Sequence, residues 1–287
     1  MAISERITLL GKGLYPEIPD GILTLKSIPT ASELDYVGGE DFQATMLDVI
    51  FPKAIEEKVN FRQLLDIDFH WICRCLRILN YGPYYTTNSI YCDTCGNVSA
   101  GEYRVDLRNI EVKPLPEGFN NSITIPQSEF VDFKGDIVLH LPTVQEVMNA
   151  SKDSLFKNKA GESNLGFARL CYMVSSIKGN SKLALPEVKN IIQNELSSAD
   201  FIVLKGLAHE KTNYGLRAGG STICPRCGNR DATFIALVDD RFFRPSLGDI
   251  RAWKSDLDAE KSSRSSEGIG QDRGRNEVVP GNATATV

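Results

Sequence analysis

Apolar residues recur along the chain with two distinct periods. Leu65, Phe69, Ile72, Leu76 and Leu79 step by four and three, the spacing that places side chains on one face of a helix. Asn60 is placed to cap that helix and Gly82-Pro83 to stop it. The pattern predicts that these five residues are buried and that the opposite face, with Asp66, His70, Arg74 and Arg77, is exposed and linked by salt bridges. Before this helix, Leu14 to Pro29 alternates turn residues with short apolar runs such as Ile22-Leu23-Thr24-Leu25, which predicts an extended arm ending in a strand. Thr30 with Glu33 has the form of a capping box and predicts a short helix start.

After Pro83 the pattern turns to β. Thr86 to Tyr91, Glu102 to Leu107, Asn109 to Val112, Ser122 to Pro126 and Asp136 to Leu141 are short runs rich in β-branched residues, separated by turns. Thr143 with Glu146 predicts a capped helix, and Lys152 to Asn164 a polar surface loop. Phe167, Leu170, Cys171, Val174 and Ile177 form a second helical stripe ended by Gly179-Asn180. Pro186 fits the first turn of a helix carrying Val188, Ile191 and Ile192, and a further helix is expected from Ser198 to about Glu210. Ser221 to Val238 returns to strand character. From Ser255 to Val287 there is no aromatic residue and much Ser, Gly, Asp, Glu and Arg, a composition that predicts a disordered or partner-bound tail.

Composition narrows the function classes. The apolar and charged fractions are those of a globular protein, and the net charge of -5 with pI near 5.4 argues against bulk attraction to nucleic acid or anionic membrane. No apolar run reaches the roughly 20 residues of a spanning helix, and the N-terminus lacks the order of a signal peptide, so a cytosolic chain is expected.

The sharpest chemical signal is in the cysteines. Four of the seven sit in two matched units, Tyr91-Cys92-Asp93-Thr94-Cys95-Gly96 and Ile223-Cys224-Pro225-Arg226-Cys227-Gly228. A two-residue gap curls the backbone so that both thiolates face one point, and the glycine permits the tight turn that follows. Two such units complete a tetrahedral sulfur site, so Cys92, Cys95, Cys224 and Cys227 are expected to bind one structural zinc ion, Zn2+, in a ribbon split by everything from Gly96 to Ile223. Four thiolates leave no open position for catalysis, and two matched pairs fit metal better than a single redox-active pair.

The other candidates have plainer readings. Cys73, Cys75 and Cys171 fall on helices and read as buried small hydrophobes. Asp66 with His70 reads as a surface ion pair, since no nucleophile accompanies it, and His140 and His209 are isolated. Ala218-Gly219-Gly220 lacks the lysine and following helix of a phosphate loop and reads as a turn. Phe242-Phe243-Arg244-Pro245 has two readings. If the segment is extended, one ring enters the core and its neighbour, beside Arg244, anchors a partner; alternatively both rings are core.

The order of the helix Leu64-Leu65-Asp66-Ile67-Asp68-Phe69 through Leu79, the first cysteine unit, Val105-Asp106-Leu107 with Ile110, and Leu141-Pro142-Thr143 forms a series. Tyr214-Gly215-Leu216, the second cysteine unit and Phe242-Phe243-Arg244-Pro245 complete it. The series resembles the baseplate hub and hub-assembly proteins of contractile-tailed bacteriophages of the T-even type, over most of Gly21 to Pro245. The resemblance implies a non-enzymatic structural or assembly protein, with other baseplate or tail proteins as partners, in the virion tail baseplate or, during assembly, the host cytoplasm. A nucleic-acid-binding zinc ribbon is the competing class. Against it, Asp93, Glu102, Asp106, Asp231, Asp239 and Asp240 mix with Arg104, Arg226 and Arg230 near the cysteines, where a basic stripe is needed.

The expected fold is therefore α+β: a split zinc ribbon with a long mixed insertion and a preceding helical segment. The expected divisions are an arm over 1–29, a domain over 30–254 and a tail over 255–287. Within the domain, helices occupy 30–82, the ribbon halves 84–112 and 219–245, and the insertion 113–218.

Overall fold

The computed structural model describes residues 4–28, 41–87, 90–98, 102–157, 161–236, 238 and 240–267. Helices combine with several antiparallel sheets in a mixed α+β arrangement. The capping box at Thr30 and Glu33, like the end of the chain beyond 267, lies outside the described residues.

The N-terminal segment is a closed hairpin rather than an extended arm. Strand β1 (Ser4–Thr8) pairs antiparallel with β2 (Ile22–Lys26), in register from Ser4 opposite Lys26 to Thr8 opposite Ile22. Alternation along β2 turns Leu23 and Leu25 inward, where both are fully buried. A lone strand would leave its backbone ladder unpaired, and folding back on itself supplies the partner. The connecting loop is fastened from inside. The carboxylate of Asp68 accepts the amides of Leu10 at 2.6 Å and Gly11 at 3.0 Å and the hydroxyl of Tyr15.

Helical residues 42–54 form α1, capped by Asp41, whose Oδ1 accepts the Ala44 amide at 3.1 Å. Its middle turn, Met46–Ile50, has π geometry just before Pro52, which has no amide hydrogen to continue the ladder. Asn60 caps only a single 3-10 turn, Phe61–Gln63, and the long helix α2 begins later, at Asp66–Tyr81. Two backbone bonds draw Leu64 and Asp66 to residues 142–144 and hold the chain extended until that point: Asp66 N to Pro142 O and Val144 N to Leu64 O, both 2.9 Å. All five stripe residues are buried as their spacing predicts, Leu65 just ahead of α2 and the other four within it. Arg74 and Arg77, expected on an exposed face, are buried too. Their guanidinium groups find backbone carbonyls from distant segments, Arg74 Nε donating to Leu107 O at 3.1 Å.

Strands β3 (Tyr84–Thr87) and β6 (Tyr103–Asp106) form a two-stranded ladder. A five-stranded sheet follows the order β5 (Gly96–Val98), β4 (Ile90–Cys92), β12 (Ala232–Ile235), β11 (Gly215–Thr222) and β7 (Ile110–Lys113). Gly219 and Gly220, read from the sequence as a turn, lie inside β11 between β12 and β7. A Cβ on Gly219 would come within 1.8 Å of Phe234 O, and one on Gly220 within 2.6 Å of Asn109 O, so only glycine admits such close backbones.

The segment between the two cysteine units builds a second core. Strands β8 (Ile123–Ile125), β9 (Ile137–Leu139) and β10 (Val174–Ile177) form its sheet. Helices α3 (Val144–Lys152), α4 (Leu165–Tyr172), α5 (Leu185–Asn194) and α6 (Ser198–Thr212) complete the insertion. Helix α3 starts on the expected capping box, with Glu146 N to Thr143 Oγ1 at 3.3 Å and Thr143 N to Glu146 Oε2 at 2.8 Å. It serves both cores, with Val144 and Met148 in the first and Ala150 in the second. Val174 and Ile177 belong to β10 and not to the helix before it, since α4 ends at Tyr172 and the β-branched pair brackets two serines along β9. The expected surface loop after Lys152 contains a 3-10 turn, Ser154–Phe156, that buries Phe156.

Helix α7 (Leu247–Glu267) starts ahead of residue 255 and takes in the first part of the segment expected to be a disordered or partner-bound tail. Ser246 and Asp249 cap it reciprocally, with Asp249 N to Ser246 Oγ at 3.1 Å and Ser246 N to Asp249 Oδ2 at 3.0 Å. Trp253 covers Gly82, where a Cβ would sit 2.3 Å from the indole. The low apolar content of this stretch concealed a helix that docks through Trp253 and through Asp249, which also accepts from Thr86 Oγ1 at 2.9 Å and pairs with Arg104.

Candidate metal centre

Strand pairing brings the two cysteine units together. Thr233 lies opposite Tyr91 and Phe234 opposite Ile90, so β4 carries Cys92 to the sheet end where β11 delivers Cys224. Cys92 Sγ lies 3.6 Å from Cys227 Sγ, and Cys95 Sγ lies 3.6 Å from Cys224 Sγ. All four sulfurs fall within 4.8 Å of one another, and among the described residues this is the one group of three or more such ligand atoms that can hold a metal ion.

The spacing discriminates between chemistries. A disulfide needs about 2.05 Å, whereas ligands at about 2.3 Å from a tetrahedral metal stand about 3.8 Å apart. The observed separations match the second case. Each unit ends on a glycine in the left-handed region, Gly96 at φ 81° and Gly228 at φ 74°, where a side chain would be strained. Gly228 N also donates to Cys224 O at 2.9 Å, closing the second turn.

The local fields of the two units match. Burial raises the thiol of Cys92, but the amides of Cys95 and Thr94, with Cys227 and Asn229, outweigh it and bring Cys92 down to about 6. Cys224 is lowered in the same way, against its burial, by the amides of Cys227 and Arg226. The second cysteine of each pair goes the other way. Burial and the neighbouring sulfurs push Cys95 up to about 12. Cys227 also rises, the Asn229 amide being outweighed by burial and by the sulfurs of Cys224 and Cys92. The first cysteine of each unit thus gives up its proton more readily than the second, and a bound cation would draw the proton from the second. Cys92 and Cys224 are buried, Cys95 is half-buried and Cys227 is exposed, so the site is sealed toward the core and reachable from the Cys227 side.

Phe242 and Phe243, for which the sequence allowed either one ring toward a partner or both in the core, are both buried. They lie in a 3-10 turn, Asp240–Phe243, and not on an extended strand, so adjacent side chains need not face opposite ways. Phe242 packs 5.7 Å from the Tyr85 ring and Phe243 6.2 Å from Phe42. Arg244 is exposed beside them. The core reading of this segment is the one its packing supports, and neither ring is available as an anchor.

The remaining cysteines are inert. Burial pushes Cys75 and Cys171 up to about 12 and Cys73 well above its ordinary value. His70 Nε2 stands 3.6 Å from Asp66 Oδ2 in a cleft of about 270 Å³ that His209 and Arg169 also line. His140 bridges Ser175 Oγ at 2.9 Å and Glu146 Oε1 at 3.0 Å, joining β10 to the cap of α3. No helix among the described residues is long and apolar enough to cross a membrane.

Sequence reading passed over Asn229, whose side chain and backbone both reach the cysteine units. Its only signal is its position directly after Cys227-Gly228. Compared with known proteins, the chain matches no family model, no curated protein and no solved structure.

Proposed function

We propose that Cys92, Cys95, Cys224 and Cys227 hold one structural zinc ion, that the two units form a split zinc ribbon, and that the chain acts through protein contacts as a bacteriophage baseplate hub component or hub-assembly factor. The observation that carries the zinc reading is the convergence of two sequence-distant cysteine pairs on one sheet end, with sulfurs 3.6 Å apart across the units. Four sulfur ligands of tetrahedral spacing select zinc or iron, and a closed site of this kind fastens a fold. The baseplate role rests on the order of motifs along the chain. Exposed apolar side chains directly preceding the first cysteine of each unit, Tyr91 and Ile223, suit protein contacts. Exposed Asp93 and Asp231 interleave with Arg226 and Arg230, which disfavours a nucleic-acid surface.

Two measurements test the proposal separately. Elemental analysis of the purified chain should give one zinc per chain, and Cys92→Ser with Cys224→Ser should lower the melting temperature sharply, since such sites contribute on the order of 10 kcal/mol to folding. Folded protein without metal would overturn the zinc reading. In infected cells, loss of this chain should stop baseplate completion while heads still form. Normal tails in its absence would overturn the assembly role.

A further inference from the structure

We infer that Asn229 is the positioning residue of the four-sulfur site, holding the two cysteine units in register through bonds to both. The inference rests on the zinc reading above. Asn229 Nδ2 lies 3.8 Å from Cys92 Sγ and 3.1 Å from Thr94 Oγ1, so its carboxamide crosses from the second unit to the first. Its carbonyl accepts the Cys224 amide at 2.7 Å, and its own amide hydrogen faces the sulfur of Cys227. Asn229 thereby reaches three of the four cysteines.

Its orientation is fixed by a further bond. Oδ1 accepts the Asp231 amide at 3.2 Å, which assigns the oxygen to that side and turns the NH2 group toward Cys92 and Thr94. The turn at Gly228 brings the residue across, and its burial is intermediate, so water competes only in part for these bonds. Asparagine meets the geometry with one short side chain, since it offers a donor to sulfur and an acceptor to the backbone at once. Aspartate keeps the acceptor and presents no donor to the thiolate. Alanine loses both. An N–H bond to a metal-bound thiolate withdraws charge from the sulfur and fixes its rotamer, the means by which outer partners tune a metal site.

The test uses the full chain with cobalt(II) as a spectroscopic probe, its affinity read by competition with a chelator. The wild-type chain should bind one equivalent and show a sulfur-to-cobalt charge-transfer band. Asn229→Ala and Asn229→Asp should each weaken binding by about 10- to 100-fold, the usual loss for such partners. Both should also move the band to lower energy, because a thiolate relieved of its hydrogen bond gives up charge more readily. Thr94→Val, which leaves the sulfur contact in place, should keep the band where it is. The band is read on the metal-bound fraction, so a variant that folds only with metal is still measured. Wild-type affinity and an unshifted band in both Asn229 variants would overturn the inference, as would weakened binding without a band shift. A wild-type chain that takes up no cobalt would instead remove the metal reading beneath it.

Discussion

Arg77 Nε donates to the carbonyl of Phe242 at 2.8 Å, joining residues 165 positions apart. The same guanidinium donates from Nη1 to Gly82 O and from Nη2 to Tyr84 O, both at 2.7 Å. One fully buried side chain thus binds the end of α2, the start of β3 and the 3-10 turn that follows the second cysteine unit. The planar fork of arginine suits three diverging carbonyls, and the ammonium of lysine does not.

Arg77→Met should therefore destabilise the chain by about 3–5 kcal/mol, because it leaves two buried carbonyls and a half-buried one without their donors. Leu76→Ala, one position away on the apolar stripe, should cost about 2–5 kcal/mol through its cavity. Urea denaturation of both variants checks the comparison. A cost below about 1 kcal/mol for Arg77→Met would show that those carbonyls find other partners.

Two glycines should respond to alanine with opposite signs. In β11, Gly219→Ala drives a methyl against the Phe234 carbonyl and should cost about 3 kcal/mol, since the Phe234 and Ile235 backbone it meets is held in the sheet. In α6, Gly206 has nothing within 4 Å of a would-be Cβ, and Gly206→Ala should stabilise by about 0.5–1 kcal/mol. Thermal melting of the two variants decides it, and a stable Gly219→Ala would place β11 out of register.

Asp68 should give the chain an unusual acid response. Burial raises its carboxyl to about 6 against the opposing pull of the Tyr15 hydroxyl and the Leu10 and Gly11 amides. Between about pH 4 and 6 the folded chain keeps a proton that the unfolded chain releases, so this group's contribution falls as pH rises through that window. Above it the loss levels off. Asp68→Asn should remove on the order of 2 kcal/mol of that pH dependence. Comparing denaturation of both proteins at pH 4.5 and pH 7 tests the sign; parallel behaviour would mean that Asp68 does not titrate there.

Local signals were legible where the interaction that decides an element lies within a few residues. The four-and-three spacing from Leu65 to Leu79 found the buried face of α2, and Thr143 with Glu146 found the start of α3 to the residue. The same periodicity misjudged Arg74 and Arg77, because their acceptors at Leu107 and Phe242 come from remote segments. Apolar spacing extended α4 through Val174 and Ile177, but pairing with β9 captured both for a strand. Composition hid α7, whose docking depends on Trp253 meeting Gly82 across the fold.

By itself, the sequence determined the mixed α+β character of the chain and the four cysteines that can act together, because thiolate chemistry and the turn after each pair are written into adjacent residues. Tertiary structure decided what lies between and around them. It closed the N-terminal segment into a hairpin on Asp68, enclosed two arginines and both Phe242 and Phe243, and set Asn229 across the cysteine units. Each of those outcomes depends on hydrogen-bond partners or packing surfaces that chain folding brings from distant positions, and no local period or composition records them.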